Sequence, residues 1–81
     1  MNIYVGNLNY SVTDEDLKGL FQEYGTVESA RVIFDRMTNR SKGFGFVDMP
    51  DDNEANSAIS ALNGNEFMER ALRVNQAREK R

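Results

Sequence analysis

Two short helical stripes, set 38 positions apart, constrain this chain more than any other feature. Leu17, Leu20, Phe21 and Tyr24 fall at i, i+3, i+4 and i+7, and Ala55, Ala58, Ile59 and Leu62 repeat that spacing. Each set lines one face of a helix. Each stripe also opens on a capping signal. Thr13 stands three residues before Asp16, and Asp51 three before Glu54, close to the capping-box pattern. Asp14, Glu15 and Asp16 put negative charge at the positive end of the first helix dipole. Gly25 is expected to end the first helix as its C′ residue, and Asn63-Gly64 the second.

Runs of strand-type residues flank both stripes. They are Asn2 to Gly6 (NIYVG), Val27 to Phe34 (VESARVIF), Lys42 to Met49 (KGFGFVDM) and Ala71 to Asn75 (ALRVN). A polar loop, Asp35 to Ser41, joins the middle two, and Pro50 breaks the third. The order is β-α-β-β-α-β, the split-βαβ or ferredoxin-like plan of the α+β class. Right-handed crossovers put both helices on one side of a four-stranded antiparallel sheet. A chain of 81 residues makes one domain. We take it as residues 1–77, with 78–81 as a basic tail.

The residues that are missing narrow the chemistry. With no Cys there is no disulfide, thiolate nucleophile or Cys-ligated zinc. With no His the commonest general base and metal ligand are gone. The serines therefore lack a base, and no carboxylate pair falls in a predicted cleft. Asp51, Asp52 and Glu54 read as helix-capping acids without the spacing of a calcium loop. Gly43 and Gly45 lack the third glycine of a dinucleotide fingerprint and do not open a helix. The expectation is a chain that is no enzyme and takes no cofactor or metal. No apolar run approaches the roughly 18 residues of a membrane span, and no signal-peptide pattern opens the sequence. A soluble, cytoplasmic monomer is expected.

Alternation along the strands then sorts the side chains by face. Ile3, Val5, Ala30, Val32, Gly45, Val47, Met49, Leu72 and Val74 suit the helix-covered side. Asn2, Tyr4, Arg31, Ile33, Lys42, Phe44, Phe46, Asp48, Ala71, Arg73 and Asn75 are left on the open side. Three rings left uncovered on a small domain invite association. Rings bordered by cations form a platform on which nucleobases stack, with Lys and Arg to meet phosphates.

The residues on that face carry a family likeness. Ile3 to Leu8 (IYVGNL) and Lys42 to Met49 (KGFGFVDM) resemble the hexapeptide and octapeptide signatures of the RNA recognition motif. Seven of the eight octapeptide positions match the pattern K/R-G-F/Y-G/A-F-V-x-F/Y. Met49 is the departure, and alternation turns it into the core, where Met packs adaptably. The compact chain is also similar to small single-domain RNA-binding proteins of bacteria, cyanobacteria among them. The resemblance implies single-stranded RNA as partner. It implies that Tyr4 and Phe44 stack on adjacent bases, that Phe46 packs against the sugars between them, and that Lys42 meets a phosphate. It further implies that Asn75, with the backbone near Gln76 and Ala77, bonds base edges.

Arg36 and Arg40 sit in the loop beside the open face, and Arg40 is counted with the RNA-binding set. Tyr10, Phe21, Tyr24 and Phe67 are read as core or edge packing. The overall charge of −3 hides a division. The open face, its loop and the tail hold Arg31, Arg36, Arg40, Lys42, Arg73, Arg78, Lys80 and Arg81 against Asp35, Asp48 and Glu79. Lys18 and Arg70 are left with the other acids on the helical back. Two alternatives stand beside RNA binding: single-stranded DNA on the same platform, or a protein-interaction module using the acidic helical face.

Overall fold

The computed structural model describes residues 1–77. The expected tail, Arg78 to Arg81, lies outside the described residues. The elements run β1 (Asn2–Gly6), α1 (Asp14–Gln22), β2 (Ser29–Phe34), β3 (Ser41–Asp48), α2 (Asp52–Leu62), β4 (Glu66–Phe67), β5 (Arg70–Ala71) and β6 (Arg73–Gln76). β2, β3, β1 and β6 lie in that order in one antiparallel sheet, and β4 and β5 form a separate hairpin. This is the expected ferredoxin-like plan with one addition. None of the described helices is long and apolar enough to cross a membrane.

The helical stripes become one wall of the core. Leu17 and Phe21 of α1 and Ala55, Ala58 and Leu62 of α2 are buried, while Leu20, Tyr24 and Ile59 pack at its margin. Opposite them stand Ile3, Val5, Val32, Val47, Met49, Leu72 and Val74. Burying a side chain the size of Phe21 or Leu17 stabilises the fold by about 1.5–3 kcal/mol. Small residues on α2 let that helix lie close to the sheet. Gly45 does the same on β3, where an added Cβ would press on the Leu17 side chain and the Arg31 carbonyl.

Capping follows the sequence on α1 and departs from it on α2. The Thr13 hydroxyl accepts from the Asp16 amide, and Asp16 accepts from the Thr13 amide in return. The Asp51 carboxylate accepts from the Asn53 and Glu54 amides. Glu54 does not reach back to close a box. Its carboxylate turns to the α1–β2 loop and accepts from the Thr26 amide at 3.1 Å. Gly25 makes that possible, since a Cβ there would overlap the Glu54 carboxylate. Gly25 is also not the left-handed C′ residue. Its φ is +155°, and the helix has already closed at Glu23.

A polar side chain caps one outward amide on each edge strand of the sheet. The Asp14 carboxylate accepts from the outward Val32 amide of β2 at 2.7 Å. The Asn63 side chain accepts from the Val74 amide of β6 at 3.1 Å. Next to it, Gly64 donates to the Leu72 carbonyl and Leu72 to the Asn65 carbonyl.

The β4–β5 hairpin corrects the expected last strand, which begins at Arg73 instead of Ala71. Its turn residues, Met68 and Glu69, both have positive φ, 50° and 71°. Such turns usually advertise themselves as Asn-Gly. Here the loop after β1 supplies the restraint. The Asn7 side-chain Nδ2 donates to the Ala71 carbonyl at 2.7 Å, and the Asn9 Nδ2 to the Met68 carbonyl at 3.0 Å.

Candidate nucleic-acid interface

The register turns the open face into ordered rows. Across β2, β3, β1 and β6 one row reads Arg31, Phe46, Tyr4, Asn75. The next row holds Phe44, Gly6 and Arg73, and a third holds Asp48 beside Asn2. Adjacent strands lie about 4.8 Å apart, so the first row crosses the sheet with one side chain per strand.

The three rings touch. Tyr4 lies 5.9 Å from both Phe44 and Phe46, centroid to centroid, and Phe44 lies 6.0 Å from Phe46. Tyr4 and Phe44 are tilted by 32°, while Phe46 stands edge-on to both. All three are half-buried, with no helix above them. Tyr4 owes its posture to Gly6, two residues on. A Cβ on Gly6 would stand 2.5 Å from the Tyr4 hydroxyl oxygen, so the ring lies along the strand over the bare backbone.

Polar groups frame the rings. Arg31 and Asn2 share a shallow hollow with Ile33 and Phe46. Arg73 and Asn75 line another along β6 with Asn7 and Asn63. Lys42 reaches the far end, where β3 is irregular. The β2–β3 register slips between Val32 and Phe34, Gly43 takes φ +81°, and its amide donates to the Ser41 hydroxyl. Arg40 is not in the rows. It lines a groove of about 570 Å³ beside the sheet with Phe34, Asn39, Lys42 and Tyr10.

Besides Arg40, the Gln76 side chain is not brought to the platform. Gln76 pairs with Ile3, whose side chain is buried under the helices. Alternation therefore points Gln76 to the helix side, and the Ala77 amide is already donated to the Asn2 carbonyl at 2.8 Å.

Two residues beside the platform escaped the sequence reading. Tyr10, read as packing, is 67% exposed. Arg70, assigned to the acidic back, sits over the Tyr10 ring at 5.9 Å. Both line a hollow with Tyr4, Lys42 and Phe44. Alternation could not find them, because it stops at Gly6. Asn7, the next residue, is left-handed with φ 58°, and that tolerance of Asn is the one signal the sequence offered.

Residues 3–73 match the family model of the RNA recognition motif. A cyanobacterial protein of Nostoc sp., named "Putative RNA-binding protein RbpB", is 53% identical over 78 residues, 96% of this chain and 76% of that protein. The crystal structure of RNA binding protein PG1 is 60% identical, with a TM-score of 0.95 over 100% of this chain and 98% of that one. The Rna15 RRM with bound RNA (GU) is 31% identical, with a TM-score of 0.86 over 96% of this chain and 83% of that one. With its two signatures on the central strands β1 and β3, this chain belongs to the RNA recognition motif family.

Proposed function

We propose that the open sheet face binds a short stretch of single-stranded RNA by stacking bases on its rings. The observation that carries this reading is the row Arg31, Phe46, Tyr4, Asn75, which sets one contact on each strand. A strand of RNA crossing the sheet meets them in turn. Tyr4 and Phe46 face each other directly across β1 and β3, which suits them to adjacent bases. Phe44, in the next row with Arg73, then lies under the sugars and phosphates. This exchanges the roles that the family resemblance implied for Phe44 and Phe46. The small Tyr4–Phe44 tilt argues for the original assignment. Register is fixed by the backbone, whereas ring tilt changes with a side-chain rotation, so register supports the exchange.

Each stacked base contributes about 1–3 kcal/mol. Two or three stacks, less the cost of association, give an affinity of order micromolar. The double variant Phe44→Ala, Phe46→Ala is expected to weaken binding at least ~10-fold by fluorescence anisotropy, with the circular dichroism of the fold retained. Unchanged affinity would remove stacking from the account. The rings and cations are indifferent to the sugar's 2′-hydroxyl, so paired titrations with RNA and DNA of one sequence measure the preference.

A further inference from the structure

The hollow beyond the platform has the composition of a nucleotide site. It measures about 250 Å³ and is lined by Tyr4, Asn7, Leu8, Tyr10, Lys42, Gly43, Phe44 and Arg70. It is continuous with the platform through Tyr4, Phe44 and Lys42, and it adds a fourth ring, Tyr10, and a further cation, Arg70.

Its walls are held by the backbone and by Asn7. The Leu8 amide donates to the Gly43 carbonyl at 2.8 Å, extending the β1–β3 pairing past Gly6. This brings the Tyr10 ring against Gly43, where an added Cβ would stand 3.3 Å from a ring carbon. Arg70 is fixed from the other side. Its Nε and Nη2 donate to the Asn7 side-chain oxygen at 3.3 and 3.0 Å, while the Asn7 Nδ2 ties down the Ala71 carbonyl. Asn9 secures the same two loops, accepting from Ser11 and donating to Met68. No described carboxylate forms an ion pair with Lys42 or Arg70. A large exposed ring beside a preset guanidinium does not serve the core.

We propose that Tyr10, Lys42 and Arg70 form an additional nucleotide subsite, taking one base against the Tyr10 ring and a phosphate between the two cations. This rests on RNA binding by the platform and extends its track past Phe44, toward the β2–β3 loop. Tyr10 supplies stacking, which every base offers. Lys42 and Arg70 supply charge-assisted hydrogen bonds to phosphate oxygens. Asn7 is a positioning residue that holds the guanidinium over the site.

Length-stepped oligouridylates, two to six nucleotides, test this by anisotropy or NMR shift titration. Wild-type affinity is expected to rise at the length that fills the subsite. Tyr10→Ala is expected to erase that rise, a loss of about tenfold on the longer oligomers, while matching wild type on the shortest that binds. Tyr10→Phe restores the rise. Arg70→Gln is expected to make the salt dependence of the longer oligomers shallower by about 0.7 in log K against log[salt]. Tyr10→Ala tracking wild type at every length overturns the subsite. Phe46→Ala separates the two readings: unchanged binding of this variant at every length overturns the platform and the subsite together. Tyr10 is mostly exposed, so its variants are expected to melt with the wild type.

Discussion

Gly25 and Gly19 show how one substitution can act in opposite directions at two places. Gly25 lies at φ +155°, a region that L side chains rarely adopt, and its missing Cβ leaves room for the Glu54 carboxylate. Gly19 is an exposed position within α1, with nothing within 4 Å of an added Cβ. Gly25→Ala is expected to destabilise the fold by about 1–3 kcal/mol. Gly19→Ala is expected to stabilise it by about 0.5–1 kcal/mol, because Ala loses less backbone entropy in a helix. Urea denaturation reads both, and changes of the same sign would show that the two backbones are misassigned. Tyr4 makes the matching point for function. Its posture depends on the absent side chain of Gly6, so the Gly of the hexapeptide signature also serves the ring beside it.

The elements differ in how openly the sequence announced them. Both helices and the central strands β1 and β3 followed from periodicity, because their apolar faces meet one flat core. Alternation also placed Tyr4, Phe44, Phe46, Arg31, Arg73 and Asn75 on the open face. The β4–β5 hairpin stayed hidden, since Met68 and Glu69 carry no turn signal and are held by distant Asn7 and Asn9. Tyr10 and Arg70 went unread for the same reason, their positions being set by contacts between two loops. Sheet edges are the other long-range feature. The Asp14 and Asn63 side chains occupy the outward amides of Val32 and Val74. Asp14→Ala is expected to speed hydrogen exchange at the Val32 amide, and Asn63→Ala at the Val74 amide. Each lost bond weakens local protection by about 1 kcal/mol. Exchange rates that do not change at those two amides would show that the edges are guarded by other means.

At the scale of the whole molecule, the acidic total does not describe the open sheet face. Moving Arg70 from the helical back to the platform side sharpens the division that the sequence suggested. Arg31, Lys42, Arg70 and Arg73 then surround the rings, while Lys18 is the one cation among the described residues assigned to the helical back. Three or four phosphate contacts give a slope of about −2 to −3 in log K against log[salt], at about −0.7 per contact. A slope steeper than about −5 would mean that charge outweighs stacking. Stacking is only weakly screened, so affinity should persist in salt that strips a purely cationic binder.

The capped edge amides also bear on self-association. With the Val32 and Val74 amides occupied, a fifth strand at either edge has to displace a side chain before it can pair. Two copies of the domain joining edge to edge would have to give up the Asp14 or the Asn63 bond first.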